Sequence, residues 1–554
     1  MKITDTSDLW WKSAVVYCLD VETFLDTDGD GTGDLVGLGR RIDYLAQIGV
    51  TCLWLMPFYP SPDRDDGYDI TDFYGVDPRL GTHGDLVEVI RTARDRGIRV
   101  IVDLVVNHTS DRHPWFLAAK RSVDSPFRDF YIWRDDPPPR GQKNAVFPGE
   151  ADGTWEKDEK SGQWYQHSFY EHQPDLNVAN PRVRDEIAKT IGFWLQLGIS
   201  GFRVDAVPFF LEVPPDADIP DPHDLLRDLR AFLQRRSSEA ILLGEVNLPY
   251  EEQLAYFGAE AGAELTMQFD FVGMQATYLS LVRGDPGPLV EALRARPPIP
   301  VEAQWANFLR NHDELTLDKL GEAEREEVFA ALAPDEAQRV YGRGITRRLP
   351  TMLGGDPRRI RMAYSLLFTL PGTPVLFYGE EIGMGENPEI EGRLSVRTPM
   401  QWSRDRNGGF SDAAPSRLVA APPGDGYAPE HVNVADQLED PGSLLHFIRG
   451  LVSRYRISPE LGWGAFEIIE QDAAAVLVHS LASDVGRMVA LHNLADTATT
   501  VRFRLEGEPE GTALVDLFRS ERLPLDGEGR VALDVPAYDH RWLRVSRPGD
   551  GRVL

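Results

Sequence analysis

The chain has 554 residues, of which 42% are hydrophobic, and a formal net charge of −30. This charge argues against nucleic acid and anionic membrane surfaces as partners, because both are bound through clustered Lys and Arg. The length exceeds a single ordinary domain at about 150 residues per domain, but a barrel domain with appendages also reaches it.

The N-terminal segment MKITDTSDLWWKS (1–13) contains no apolar stretch followed by a small-residue cleavage site, as a secretion signal would. No run of 18 apolar residues occurs, so no membrane span is expected. The only cysteines, Cys18 and Cys52, lie in apolar runs and are expected to be free, buried thiols, which favours a reducing compartment. The predicted location is the cytoplasm, and the oligomeric state stays open.

Short runs rich in β-branched residues alternate with amphipathic segments along most of the chain. Strand followed by helix, repeated, predicts a parallel sheet. Segments 34–49 and 85–97 each close on a glycine that can cap a helix. About eight such units predict a (β/α)₈ TIM barrel with insertions. The strand candidates are 14–21, 50–57, 98–106, 199–207, 240–246, 304–310 and 373–381.

Two stretches interrupt this pattern, and a third part of the chain differs from it. A loop-rich subdomain is predicted after the third strand, and an irregular, arginine-rich stretch covers 316–357. The last 90 or so residues alternate in short β-like runs, which predicts an all-β sandwich domain. The predicted domains are 1–103 (first part of the barrel), 104–172 (inserted subdomain), 173–462 (remainder of the barrel) and 463–554 (C-terminal β domain).

The segment DTDGDGTGD (26–34) is a candidate metal loop. Asp26, Asp28, Asp30, the Thr32 carbonyl and Asp34 occupy positions 1, 3, 5, 7 and 9 of an EF-hand-like spacing. Gly31 permits the sharp turn at position 6. Position 12 is a glycine instead of the usual bidentate glutamate. An Asp/Gly turn without metal is the alternative.

Polar residues follow several predicted strands at the end where a TIM barrel carries its active site. They are Asp103 and His108 after the third strand, Arg203 and Asp205 at the fourth, Glu245 at the fifth, and His312 and Asp313 after 304–310. Asp103, His108 and Arg203 could each be structural when taken singly. Buried carboxylates are rare unless they are paired or functional, so their convergence on one mouth indicates a catalytic site.

Glycoside cleavage requires two carboxylates, of which one attacks the sugar or activates water and the other protonates the leaving oxygen. Arg203, two residues before Asp205, is expected to keep that carboxylate ionised for nucleophilic attack. Glu245 has Leu242, Leu243 and Val246 as neighbours. Desolvation there is expected to raise its pKa and suit it as the general acid.

The segments DLVVNH (103–108), GFRVDAV (201–207), GEVN (244–247) and FLRNHDE (308–314) resemble the motifs of the α-amylase superfamily, glycoside hydrolase family 13. The resemblance covers nearly the whole chain. It implies Asp205 as nucleophile, Glu245 as acid/base and Asp313 as transition-state stabiliser. It also implies that His108, Arg203 and His312 line the subsite of the cleaved sugar.

The same resemblance extends to further residues of that subsite. DDGYD (65–69) implies that Asp65 holds the terminal glucose and that Tyr68 stacks on its ring. Arg397, in VRTPMQW, resembles another arginine of the subsite. Similar subfamilies carry a structural Ca²⁺ in the loop 26–34. No organic cofactor is expected.

The segment QPDLNV (173–178) resembles the oligo-1,6-glucosidase group, whose members act on short α-glucosides. Ala206, after the nucleophile, disfavours α-1,6 linkages, because a valine accompanies α-1,6 cleavage in similar enzymes. Segments such as RTPMQWSRDRNGGFS (397–411) resemble the trehalose-synthase group, which isomerises maltose and trehalose by transglucosylation through a covalent glucosyl-enzyme.

Two segments depart from that group's pattern, EVNLP (245–249) and VVYCLDVETF (15–24). A hydrolytic α-glucosidase acting on α-1,4-linked or other short α-glucosides is therefore the main alternative. A non-catalytic sugar-binding accessory protein is a remote alternative, because such relatives lose the catalytic carboxylates that this chain retains.

Overall fold

The computed structural model describes residues 9–138, 146–147, 153–212, 221–258 and 263–550. Eight parallel strands close into a barrel in which neighbours in sequence are neighbours in space, and the eighth strand pairs with the first. The predicted TIM barrel is confirmed. The barrel strands are β1 Val16–Leu19, β2 Cys52–Leu55, β3 Arg99–Leu104, β4 Gly201–Val204, β5 Ile241–Gly244, β6 Met267–Phe269, β7 Gln304–Phe308 and β8 Thr373–Phe377.

Nearly every residue of these strands is buried, because helices cover the outside of the barrel and side chains fill its inside. Apolar runs without polar alternation are typical of strands buried on both faces. Cys18 on β1 and Cys52 on β2 are both buried and free, as predicted. Strand β6 is short, with only three residues.

Amphipathic helices connect the strands. Of the two predicted glycine caps, Gly49 is the C-cap of its helix, whereas the C-cap of His83–Asp95 is Arg96, one residue before Gly97. The helix after β1 begins after Asp34, whose side chain accepts from Gly37 N, and ends at Gly49 with φ 98°. The α-helices are Leu35–Ile48, His83–Asp95, Pro114–Arg121, Pro181–Leu197, Val207–Phe210, Asp224–Arg236, Tyr250–Gln253, Phe271–Arg283, Gly287–Ala295, Glu322–Leu332, Leu349–Met352, Pro357–Thr369, Val434–Glu439, Leu444–Arg456 and Pro459–Trp463.

The two stretches that looked irregular in sequence contain ordered elements. The region after β3 carries the helix Pro114–Arg121 and a three-stranded sheet of Trp133–Arg134, Trp164–Gln166 and Trp155–Lys157. The region after β7 carries a second small sheet, in which Gly344–Ile345 lies between Leu315–Thr316 and Arg339–Val340. Both regions lie at the C-terminal end of the barrel.

The C-terminal part is all-β, as predicted. A six-stranded antiparallel sheet and a two-stranded sheet pack around a core of their own. Their strands are Ala465–Ile468, Val476–Ser483, Gly486–Asn493, Thr499–Arg504, Ala513–Asp516, Arg522–Pro524, Arg530–Val535 and His540–Ser546. The domain boundaries expected from sequence stay predictions. Within the described ranges, no helix has the length and apolar character needed to cross a membrane.

Candidate active site

Arg203 joins the carboxylates that three neighbouring strands bring to the barrel mouth. It lies on β4 and is 1% exposed. Its Nη1 donates to Asp103 Oδ1 at 2.7 Å and to Asp205 Oδ1, while its Nη2 donates to Glu245 Oε2 at 2.8 Å. One planar guanidinium therefore sets the spacing of Asp205 and Glu245, the two carboxylates that the sequence predicted as a catalytic pair.

Asp103 has a second partner that fixes its orientation. Trp54 on β2 donates from Nε1 to Asp103 Oδ2 at 2.6 Å. Asp103 is fully buried, and its two oxygens accept from Trp54 and Arg203. In this position it orients the guanidinium from below and contributes no free carboxylate to the mouth.

Ala206 orients Glu245 through the backbone. Its φ of 47° and ψ of 44° lie in the left-handed region, which a non-glycine residue adopts at a cost of about 1–3 kcal/mol. This conformation turns Ala206 N toward Glu245, and it donates to Oε2 at 3.1 Å. Glu245 Oε2 thus accepts two hydrogen bonds.

The environment separates the protonation states of the pair. Burial raises the pKa of Asp205 to about 6, with Arg203 opposing the rise. Burial raises the pKa of Glu245 to about 7, again against Arg203, and the charge of Asp205 adds to the rise. Burial raises both pKa values and Arg203 opposes the rise in each, and the higher value belongs to Glu245, the predicted acid.

Asp313, which follows β7, is held by two arginines. Its Oδ1 accepts from Arg393 Nη1 at 2.7 Å and from Arg397 Nη2 at 3.0 Å. Burial alone would raise its pKa, but the contact with His312 and the positive charges of Arg393 and Arg397 outweigh burial and lower it. Asp313 is consequently an anion, suited to stabilise positive charge on a sugar ring.

The remaining predicted sugar-binding residues surround Asp313. The rings of Tyr68 and His312 stack at 5.6 Å between centroids, and Tyr68 Oη lies 2.8 Å from His312 Nε2. His312 Nε2 is 3.1 Å from Asp313 Oδ2. His108 Nε2 lies 3.3 Å from the carbonyl oxygen of Tyr68. The structure therefore brings all nine predicted catalytic and sugar-binding residues to one mouth.

Arg393 is a site residue that the sequence interpretation missed. It lies in the 3₁₀ helix Gly392–Val396 after β8 and binds Asp65 as well as Asp313. Gln173 completes the Asp65 contacts by donating from Nε2 to Oδ2 at 2.7 Å. The only sequence signal for Arg393 was its position four residues before Arg397. Asp66, also missed, binds Arg397 Nη1.

Asp65, Tyr68, His108 and Arg393 line a cavity of about 350 Å³ together with the three catalytic carboxylates. The carboxylates Asp205, Glu245 and Asp313 face it from the barrel. The opposite side is formed by the two regions inserted after β3 and β7. The inserted regions and the loops after β4 and β5 contribute further lining residues. These are Val146, Phe147, Phe169, Pro208, Phe209, Glu212, Asn247, Leu248, Glu314, Thr316, Asp318 and Arg343.

The candidate metal loop forms only part of the predicted ligand set. Carboxylate oxygens of Asp26, Asp28 and Asp34 lie within 4.8 Å of one another. Asp30 lies outside this group, and its Oδ1 accepts from Thr32 N at 2.7 Å. Hard oxygen donors at this spacing fit Ca²⁺ chemically. Asp34 also caps the helix Leu35–Ile48, so it has a structural role without metal.

Comparison with known families assigns both parts of the chain. The model of the α-amylase catalytic domain matches residues 20–331 and 337–461. The model of the sucrose hydrolase-like C-terminal domain matches residues 486–544.

Individual relatives cover nearly the full length. The chain is 39% identical to a trehalose synthase of Pimelobacter sp. (strain R48), over 97% of this chain and 96% of that protein. It is 31% identical to an oligo-1,6-glucosidase of Heyndrickxia coagulans, over 92% and 98%. The crystal structure of the trehalulose synthase MutB from Pseudomonas mesoacidophila MX-45 superposes with a TM-score of 0.76 at 25% identity, over 97% and 99%. The chain belongs to the α-amylase family and is a glycoside hydrolase or transglucosidase.

Proposed function

We propose that the enzyme interconverts maltose and trehalose by intramolecular transglucosylation, with hydrolysis as a side reaction. Asp205 is the nucleophile, Glu245 the general acid/base, and Asp313 the group that stabilises the transition state. The observation that carries the proposal is the cavity in which Arg203 holds Asp205 and Glu245 together. The full-length similarity to a trehalose synthase supports the choice of reaction.

In the first step, Asp205 attacks the anomeric carbon of the terminal glucose, and Glu245 gives its proton to the glycosidic oxygen. The bond to the leaving glucose breaks as the ester to Asp205 forms. Positive charge develops on the ring, and the nearby anion Asp313 stabilises it. The pKa order of the pair supplies the required protonation states without rearrangement.

In the second step, a hydroxyl of the released glucose attacks the same carbon from the side it left. Glu245 takes the proton of that hydroxyl, and the ester to Asp205 breaks. If the 1-hydroxyl attacks, the product is trehalose, and if water attacks, the product is free glucose. Isomerisation therefore requires a cavity that retains glucose and excludes water.

Arg393 limits the substrate at the non-reducing end. It lines the cavity and binds both Asp65 and Asp313. A cavity of this volume accommodates a disaccharide-sized ligand. Short α-glucosides are therefore the proposed substrate class.

Plain hydrolysis of short α-glucosides is the second candidate function. It is favoured by the similarity to an oligo-1,6-glucosidase over most of both chains. The catalytic residues and the first step would be the same. The two candidates differ only in which molecule accepts the glucosyl group.

Replacement of the nucleophile tests the mechanism that both candidates share. We expect Asp205→Asn to lower kcat on maltose by about 10⁴-fold or more, because no covalent intermediate can form, while maltose still binds by calorimetry. The retaining mechanism also predicts that the first product is α-configured by NMR. Unchanged turnover of the variant, or a β-configured product, would contradict the assignment.

Two further proposals concern a bound metal ion and the cellular location of the enzyme. We infer a structural Ca²⁺ held by Asp26, Asp28 and Asp34, with Asp30 and the Thr32 carbonyl as the remaining predicted ligands. The ion would stiffen the turn before the helix Leu35–Ile48. A cytoplasmic location is proposed from the two free, buried cysteines.

A further inference from the structure

A hairpin in the region after β7 reaches across the mouth of the cavity. Its strands, Arg339–Val340 and Gly344–Ile345, are joined by residues 341–343. The hairpin is attached to the catalytic loop, because Gly344–Ile345 pairs with Leu315–Thr316, directly after Asp313 and Glu314. A Cβ on Gly344 would lie 2.5 Å from Glu314 Cγ, so the packing requires a glycine.

The hairpin tip contacts the region inserted after β3 through Arg343 and Tyr341. Arg343 Nη2 donates to the carbonyl oxygen of Val146 at 2.8 Å. The rings of Tyr341 and Phe147 lie 5.1 Å apart between centroids. We call residues 341–343 together with 146–147 the clasp.

The clasp rests on the catalytic machinery. Phe147 packs on the guanidinium of Arg393, which lies 4.6 Å from the ring centroid. Arg343 Nη2 lies 3.7 Å from Glu314 Oε1, next to Asp313. Val146, Phe147, Glu314 and Arg343 all line the cavity. The clasp thus joins two insertions that are distant in sequence over the opening where a leaving sugar would sit.

The backbone of the tip is held in an unfavourable conformation. Tyr341 has φ 55°, a value that favours glycine. Strained residues persist where the surrounding contacts over-determine them, and they concentrate at binding sites. The ring contact with Phe147 and the bond from Arg343 to Val146 are among the contacts that hold this turn.

We propose that Arg343 is a specificity-determining residue that closes the acceptor side of the cavity by fastening residues 146–147 to the hairpin. The closed mouth retains the leaving glucose beside the glucosyl ester on Asp205. It also prevents substrates longer than a disaccharide from entering fully. The retention of the leaving glucose rests on the proposed function, whereas the limit on substrate length holds for a hydrolase as well.

The first test measures how the glucosyl-enzyme partitions. In both routes the C1–Oδ ester bond to Asp205 breaks and the acceptor's proton passes to Glu245, so the trehalose-to-glucose ratio reports only the acceptor. We expect Arg343→Ala to lower this ratio from maltose about fivefold, the effect of losing one hydrogen bond of ordinary strength. Arg343→Lys, which retains a donor, should recover part of the loss.

The second test applies whether the enzyme isomerises or hydrolyses. We expect Arg343→Ala to raise kcat/KM for maltotriose relative to maltose about fivefold, since the same bond then no longer closes the mouth. Phe147→Ala, which breaks the other contact, should change the relative rate in the same direction. Thermal unfolding of each variant shows that it is folded.

The matched control is Arg339→Ala. Arg339 lies on the same hairpin, but its Nε donates to the carbonyl oxygen of Ala333, outside the clasp. We expect Arg339→Ala to retain both the trehalose-to-glucose ratio and the relative kcat/KM for maltotriose of the unaltered enzyme. The inference is wrong if Arg343→Ala leaves the maltotriose preference unchanged, or if Arg339→Ala shifts it equally. An unaltered enzyme that forms no trehalose contradicts the proposed isomerase alone.

Discussion

Arg203 touches both carboxylates that the proposed mechanism uses, and its position explains why they act differently. Burial raises the pKa of each, and the arginine limits the rise of both. The sequence interpretation placed Arg203 beside Asp205 only. Its bond to Glu245 depends on the register of β4 with β5, in which Arg203 lies opposite Leu243, and a local sequence pattern does not report that register.

The pKa values predict a narrow, bell-shaped pH profile. Asp205 must be ionised, so kcat/KM falls below its pKa of about 6. Glu245 must be protonated, so kcat/KM falls above its pKa of about 7. α-Glucosyl fluoride needs no protonation of its leaving group, and with it the alkaline fall should disappear. An alkaline fall that persists with the fluoride would remove Glu245 as the acid.

Arg393 pairs with two carboxylates of the site, so its removal should affect stability and activity together. We expect Arg393→Ala to destabilise the fold by about 3 kcal/mol or more, because Asp65 would lose its ion pair and Asp313 would keep Arg397 as its one arginine partner. Activity should also be lost. Urea unfolding and maltose turnover measure the two effects.

The control for this substitution is Arg404→Ala. Arg404 pairs with Asp436 on the surface, with side chains 69% and 38% exposed. Exposed ion pairs contribute little, so its urea midpoint should stay close to that of the unaltered enzyme. Equal destabilisation by the two substitutions would show that Arg393 has no special structural role.

At the scale of elements, the sequence predicted the barrel because its strands are apolar runs buried on both faces. β6 escaped this pattern, since Met267–Phe269 is three residues long and contains Gln268. The small sheets in the two insertions also escaped it, because strands of two or three residues show no periodicity. Arg393 lies 80 residues from Asp313, and only the closed barrel brings the two together.

The loop 26–34 gives a prediction at the element scale. Asp28 is exposed, and its Oδ1 accepts only a local bond from Asp30 N. Asparagine retains that acceptor but not the charge. If the loop binds Ca²⁺, Asp28→Asn should lower the thermal midpoint in calcium but not in EDTA. EDTA should also lower the midpoint of the unaltered enzyme.

Asp34→Ala distinguishes the role of Asp34 as a helix cap from its proposed role as a metal ligand. This substitution removes the N-cap of Leu35–Ile48 and should cost about 1 kcal/mol even in EDTA. Equal midpoints for the unaltered enzyme with and without calcium would show that the loop is a turn without a metal.

At the scale of the whole molecule, buried histidines join the barrel to the C-terminal sheet. His479 Nε2 lies 2.8 Å from the carbonyl oxygen of Thr369, and His492 Nε2 lies 3.0 Å from Ser365 Oγ. Both partners belong to the barrel helix Pro357–Thr369. The Nδ1 atoms of the two histidines are buried and lack partners, so protonation would leave a buried donor unsatisfied.

This interface should weaken in acid. Burial lowers the pKa of His479 to about 4 and that of His492 well below its usual value. Between an unfolded pKa of about 6.5 and these values, the unfolded chain binds more protons, so stability falls as the pH falls. We expect the thermal midpoint of the unaltered enzyme to drop from pH 7 to pH 5. The midpoint of His492→Asn should drop less over the same range. Parallel curves would contradict this role.

The proposed reaction is tested most directly by incubating the enzyme with maltose in the presence of ¹³C-labelled free glucose and resolving every product. Because the proposed reaction retains the leaving glucose in the cavity, we expect trehalose that carries little label, with free glucose as the minor product. Free glucose as the sole product, or trehalose labelled in proportion to the added glucose, would contradict it.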